Sequence, residues 1–148
     1  MLIESENKMY HFKQGCWDQL QQDAKLIRTQ VFIVEQHIPE AEEWDDYDAI
    51  SQHFVIYDQD HPIATARLLQ NHSVGRVAVV KAYRGQGIGR MIMLEIIAYA
   101  HQQSRPHLRL SSQTHAVSFY QQLGFIVQGD EYDECGIPHI EITMSIDR

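Results

Sequence analysis

The chain has 148 residues, with 12 Lys and Arg against 20 Asp and Glu, a formal charge of −8, and 44% hydrophobic against 22% charged residues. A chain of this length buries roughly 68–70% of the surface its unfolded form exposes, so it completes a core without disulfides or metal, and one globular domain over residues 1–148 is expected. Cys16 and Cys135 stand in no C-x-x-C or Cys/His zinc spacing, MLIESENKMYHF lacks the basic and apolar regions of a signal peptide, and no run approaches the ~18 apolar residues of a membrane span, which excludes disulfide scaffolds and integral membrane proteins and makes a reducing, cytoplasmic compartment the expectation.

A first strand is weakly signalled around Tyr10 to Lys13. A helix is predicted from about Cys16 to Phe32, where Leu20, Ala24, Ile27 and Val31 recur at helical steps. The next segment, EAEEWDDYD, places six carboxylates between Glu40 and Asp48, and without it the formal charge is only about −2. A duplex nucleic-acid partner is disfavoured, since affinity for a phosphate backbone comes from clustered Lys and Arg, no membrane partner is expected without an apolar span, and a cationic small molecule or peptide is easier to accommodate. HFVIYD and IATARLL form a predicted hairpin around Gln59-Asp60-His61-Pro62. The strand VGRVAVV follows, then Arg84-Gly85-Gln86-Gly87-Ile88-Gly89-Arg90, then a broadly apolar helix, MIMLEIIAYAHQQS, of the kind that packs on a sheet. HLRLSS reads as a strand, Thr114 to Leu123 as a helix capped by Gly124, and FIVQGDEYDE and HIEITMSI as two late strands around Cys135-Gly136-Ile137-Pro138. This order indicates an α/β or α+β fold with a mixed, mostly antiparallel sheet.

Glycines at every second position between a strand and a helix let backbone N–H groups converge on an anion where the helix dipole favours it. Lys81, Arg84 and Arg90 make this the most cationic stretch of an acidic protein, and a pyrophosphate would fit. The same glycines would also serve a merely tight strand-to-helix connection. The segment satisfies neither G-x-x-x-x-G-K-[ST] nor G-x-G-x-x-G, which disfavours a P-loop nucleotidase and a dinucleotide site.

Arg84-x-x-Gly87-x-Gly89 does match the Q/R-x-x-G-x-G/A pyrophosphate loop of the GNAT N-acetyltransferases. The preceding GRVAVV, the apolar helix after the loop, and Ala116-x-x-Phe119-Tyr120-x-x-x-Gly124-Phe125 resemble that family in order and spacing. The chain further resembles a small bacterial GNAT subfamily with an R-x-x-V-F-x-x-E-Q signature, here Arg28 to Gln36, an acidic loop, Ala66-Arg67-Leu68, and G-I-P-H, here Gly136 to His139. The resemblance implies a GNAT-like α/β (α+β) fold of about six to seven strands and about four helices. It also implies an acyl-CoA-dependent N-acetyltransferase using acetyl-CoA as cosubstrate.

By the same resemblance, Val77, Ala78 and Val79 would pair their backbone with the pantetheine arm and aim an N–H at the thioester oxygen. Arg84, Gly85, Gln86, Gly87, Ile88, Gly89 and Arg90 would hold the pyrophosphate, and Phe119 would line the groove. Tyr120 is the candidate general acid, since a phenol near pKa ~10 can share a proton with a departing thiolate; its alternative is a core aromatic beside Phe119. A general base for the amine has candidates in Glu35, Glu43, Asp45, Asp48, His53 and His139, with Glu43, His53 and His139 favoured near the acceptor mouth; positioned water would also serve. Nine scattered histidines form no H-E-x-x-H motif, and Asp45 to Asp48 lacks the EF-hand glycine and glutamate, so no metal is assigned. Neither cysteine lies in a Cys-His signature, so direct amine attack without an acyl-enzyme is expected. The acceptor is expected to be a small cationic molecule or peptide, steered by the acidic loop. A non-catalytic acyl-CoA-binding module and a protein Lys or N-terminal acetyltransferase are the alternatives. A homodimer is a family-level expectation, and a late strand such as His139 to Ile146 is where two copies would pair.

Overall fold

The computed structural model describes residues 1–5 and 8–146. Among the described residues eight strands form one sheet: β1 (Leu2–Ser5), β2 (Lys8–Gly15), β3 (Gln52–Asp58), β4 (His61–Leu68), β5 (Ser73–Val79), β6 (His107–Gln113), β7 (Ile126–Glu134) and β8 (Ile137–Ser145). Their order is β1-β2-β3-β4-β5-β6-β8-β7, antiparallel throughout except for β5 and β6. That parallel pair requires a long crossover, supplied by helix α3 (Ile88–Gln102). The sheet thus exceeds the expected six to seven strands by β1, a four-residue edge piece with no apolar alternation to announce it.

Helix α1 (Trp17–Arg28) buries Leu20, Ala24 and Ile27, then widens into a π-helical turn, Thr29–Glu35. The α-helix therefore ends earlier than expected, at a run in which β-branched Thr29, Val31, Ile33 and Val34 crowd the preceding turn. Val31 and Phe32 from this turn join Leu20 and Ile27 against Val55, Tyr57 and Ala78. On the opposite sheet face, Ile88, Ile92, Met93 and Ile96 of α3 pack over Phe54, Ile56, Ala64 and Ala66. Covered on both faces, β3 has to be apolar at successive positions, which explains why its sequence does not alternate. Removing one of its fully buried Phe or Ile side chains costs about 2–5 kcal/mol.

Helix α2 (Glu40–Glu43) is a single turn within the acidic segment. Helix α4 (Val117–Gln122) follows a 3₁₀ turn, Thr114–Ala116, and is closed by Gly124 at φ 111°. A Cβ there would lie 3.3 Å from Met144 Cε, so conformation and space both favour glycine. Strand β8 is hydrogen-bonded to β6 on one side and β7 on the other, which corrects the expectation that it pairs two copies; the outer strands of the sheet are β1 and β7.

Candidate active site

Strands β5 and β6 pair at Ser73 with Arg109 and at Val74 with Leu110, then part. At the same level β5 carries a bulge: Thr65 faces Ala78 and Arg67 faces Gly75, so Arg76 and Val77 together oppose Ala66. Arg76 takes the left-handed conformation, φ 51°. The separation opens a groove of about 630 Å³ with Val77, Ala78 and Val79 on one bank, Ser111 to Gln113 on the other, and Phe119 and Tyr120 also lining it.

At one end lies the glycine loop. Gly85 and Gly87 have φ 77° and 81°, a region other residues enter at a cost. The intrahelical ladder of α3 begins with Met91 N–H on Gly87 O at 3.0 Å, so the amides of its first turn have no intrahelical acceptor. Of the seven loop residues expected to hold a pyrophosphate, Arg84 and Gly89 line the groove. Gly85, Gln86, Gly87 and Arg90 lie outside its lining, and the Ile88 side chain is buried in the core, so that residue offers only its backbone. A Cβ on Gly89 would touch Phe119 Cζ at 3.4 Å, which places loop and α4 in contact. Arg84 donates from Nε to Val79 O at 3.0 Å and forms a bidentate pair with Glu35, including Nη2 to Oε1 at 2.7 Å. That hydrogen bonding holds the Glu35 carboxyl below its usual range and raises the Arg84 guanidinium. Gln113 Nε2 donates to Gln36 Oε1 at 2.9 Å, so the end of the π turn reaches both banks.

Tyr120 is packed edge-on against Phe119 at 5.0 Å and Phe125 at 5.8 Å. Burial pushes its hydroxyl well above the ordinary tyrosine value, and among the described residues no hydrogen bond engages it. It is therefore a protonated donor facing a groove, in surroundings that disfavour the phenolate.

The other end is lined by Glu42, Glu43, Arg76, Glu134, Cys135 and His139. His139 Nδ1 lies 2.7 Å from Ile137 O, and Nε2 lies 3.4 Å from Glu134 Oε2. Cys135 Sγ donates to Glu42 Oε2 at 3.2 Å, a contact that raises the thiol pKa and joins α2 to the β7–β8 turn. Glu43 lines the groove, but its Oε2 is held by Arg28 Nε at 2.8 Å and Arg76 Nε at 3.1 Å. A carboxylate so engaged is poorly placed to accept a substrate proton. His53 is absent from the groove lining, a correction to its expected place at the acceptor mouth. It is buried beneath the acidic segment with Nε2 at 2.8 Å from Asp48 O and its ring 4.7 Å from Trp17, and burial lowers its pKa. The acidic segment itself is less free than its sequence suggests, because Glu43, Asp45 and Asp48 are all ion-paired to arginines. Glu134 and Arg76 are groove residues that the sequence did not single out; an arginine inside an apolar strand, beside Gly75, was the available signal for the latter.

Residues 14–146 match the acetyltransferase (GNAT) domain family model. The chain belongs to the GNAT acetyltransferase family. The uncharacterized N-acetyltransferase YjcF of Bacillus subtilis is 34% identical over 124 residues, covering 81% of this chain and 89% of its own. Protein YyaT of the same organism is 35% identical over 132 residues, covering 85% and 89%. Among solved structures, an acyl-CoA N-acyltransferase from Pseudomonas aeruginosa superposes with a TM-score of 0.84 at 28% identity, covering 92% of this chain and 99% of the other. Escherichia coli ElaA superposes with a TM-score of 0.84 at 27% identity, covering 93% and 100%. The protein is thus an acyl-CoA-dependent N-acetyltransferase of the GNAT fold. An acyl-CoA cosubstrate fits the groove between the splayed strands, with the glycine loop and its uncommitted helix-end amides at one end. Among the described residues no group of three or more His, Cys, Asp and Glu is placed to hold a metal, and no helix is long and apolar enough to cross a membrane.

Proposed function

We propose that this GNAT enzyme moves an acetyl group from acetyl-CoA to a primary amine of a small cationic molecule or peptide, by direct attack. The observation that carries this reading is the buried Tyr120 hydroxyl, without a hydrogen-bond partner among the described residues, in a groove with a cationic loop at one end and carboxylates and an imidazole at the other. The thioester supplies the acyl carbon and the leaving thiolate. The amides of Arg84 to Arg90 hold the pyrophosphate, and Val77, Ala78 and Val79 offer their backbone to the pantetheine arm. An N–H of that splayed strand takes the charge that develops on the thioester oxygen.

Tyr120 gives its proton to sulfur as the C–S bond breaks; burial keeps it protonated until then and raises the thiolate's proton affinity in the same way. His139, donating Nδ1–H to Ile137 O, keeps the Nε2 lone pair for the incoming ammonium, directly or through one water, and Glu134 stabilises the imidazolium. The amine nitrogen gives up two protons, one to His139 before attack and one as the amide forms, and the second balances the proton that Tyr120 has lost. Cys135, with its raised pKa, and Cys16, outside the groove lining, are unsuited to carry an acyl group. Glu42 and Glu134 favour a cationic acceptor, since they face the groove while much of the acidic segment is neutralised internally. Thermal-shift titration with acetyl-CoA, CoA, ATP and NAD tests the reading, alongside Gly87→Glu, which puts a side chain and a negative charge in the loop at φ 81°. Acetyl-CoA and CoA at ~100 times Kd should each add about 2.7 kcal/mol to the wild type and nothing to the variant. That result justifies screening amines by thiol release; no shift with acetyl-CoA or CoA, or a preference for ATP or NAD, overturns the reading.

A further inference from the structure

Three arginines from three elements meet three carboxylates of the 40–48 segment. Arg28, only 1% exposed, lies between the rings of Trp17 and Trp44 at 5.5 and 5.0 Å. It reaches Glu43 Oε2 at 2.8 Å and both oxygens of Asp48 at 2.8 and 3.1 Å. Arg67 of β4 forms a bidentate pair with Asp45 at 2.7 and 2.9 Å and a further bond to Asp48 at 2.9 Å. Arg76 of β5 contacts Glu43 Oε2 at 3.1 Å, donates to Glu43 O at 2.8 Å and contacts Asp45 Oδ2 at 3.3 Å. Three positive and three negative side chains close on one another, so half of the segment's six carboxylates are internally compensated, and Glu40, Glu42 and Asp46 stand outside the cluster.

Two of the arginines stand on regular parts of α1 and β4. The third stands on the bulge, in the left-handed conformation that a side chain enters only when its surroundings hold it there. The bulge begins just beyond the last β5–β6 pair, so it sits at the hinge of the groove. Slippage of β5 by one residue would remove the extra residue and turn Val77, Ala78 and Val79 to the opposite faces.

We infer that Arg76 is a positioning residue, tying the β5 bulge to the ion-paired 40–48 segment and thereby keeping β5 splayed from β6, with the acidic segment acting as a brace. Its consequence for catalysis rests on the reading of this groove as the acyl-CoA site. The test compares Arg76→Gly, Arg76→Ala and Arg76→Lys. Glycine accepts the left-handed backbone but has no guanidinium, alanine loses both advantages, and lysine keeps a charge without the fork. CoA binding is measured by calorimetry, and hydrogen exchange is followed over residues 74–80. Both Gly and Ala variants should bind CoA at least tenfold more weakly and exchange the 75–79 amides at least tenfold faster, while lysine restores part of each.

A glycine variant with wild-type exchange and wild-type CoA affinity overturns the brace, because backbone conformation alone would then suffice. If wild type itself fails to bind CoA, the acyl-CoA reading falls, and the exchange data still decide whether Arg76 holds the bulge. Should the Arg76 variants fail to fold, Asp45→Asn removes one Arg76 contact and leaves the Arg28–Glu43 pair intact. Faster exchange of 75–79 in Asp45→Asn supports the brace; unchanged exchange both there and in Glu43→Gln, the two carboxylate partners of Arg76, rejects it.

Discussion

Replacing Arg28 by Met tests whether the ion-pair body is a folded part of the protein. The side chain is 1% exposed and makes four hydrogen bonds, to Glu43 Oε2, the Glu43 carbonyl and both Asp48 oxygens. Methionine fills much of the space between Trp17 and Trp44 but leaves two buried carboxylates short of a partner. Breaking a buried pair from one side costs about 3–5 kcal/mol. Glu43 keeps Arg76 and Asp48 keeps Arg67, so the lower end, about 3 kcal/mol, is expected. With an unfolding entropy of about 2.1 cal/mol/K per residue, a chain of this length has a total near 0.3 kcal/mol/K, and the loss corresponds to a fall in Tm of about 10 °C. Thermal and urea melts followed by circular dichroism measure it. Adding 0.5 M NaCl should change the cost little because the groups are buried away from solvent. A fall in Tm below about 3 °C, or a penalty that salt removes, would show that the cluster is a solvated surface and refute the reasoning.

Tyr120→Phe should lower kcat by about 10²–10⁴ while CoA affinity stays within twofold, as expected for a lost proton donor; unchanged turnover with an acceptor found by thiol release excludes Tyr120 as the acid. Glu42→Gln with Glu134→Gln should raise KM for a dicationic amine several-fold at low salt and leave KM for acetyl-CoA unchanged, whereas Asp46→Asn, outside the groove lining, should change neither; an unaltered amine KM in the double variant rejects the acceptor-binding role. Burial depresses the folded-state pKa of His53, so the unfolded chain binds its proton more readily. Stability from this group is complete above the unfolded value near 6.5 and declines as pH falls through it, by up to about 1.4 kcal/mol between pH 7.5 and 5.5. His53→Gln should flatten that part of the urea-melt pH profile, and an equal slope in wild type and variant would show that His53 titrates freely.

Much of the fold was legible because its signals are local. Helical spacing marks α1, the glycines at positive φ mark the entry to α3, and the continuous apolar run of β3 marks a strand covered on both faces. The π turn was not, since the buried faces of an α-helix and a slightly wider helix look alike over one or two turns. At the site, Phe119-Tyr120 and the Arg84 to Arg90 loop could be picked out as short strings. Their common groove could not, because it depends on two strands parting after only two paired residues.

What the sequence determined by itself was the family pattern, the order of most elements and the chemical types available near the cosubstrate loop, all of which follow from contiguous residues. The state of each charge was decided only by tertiary structure. In the chain, Glu40 to Asp48 is a block of unopposed carboxylates; in the fold, arginines 15 to 33 residues away neutralise half of it. Likewise His53 and His139 look equivalent as isolated imidazoles, yet one is buried against Asp48 and Trp17 and the other lines the groove with Glu134 beside it. The physical reason is that ionisation and accessibility depend on the neighbours a side chain meets after folding, and those neighbours come from β4, β5 and the β7–β8 turn.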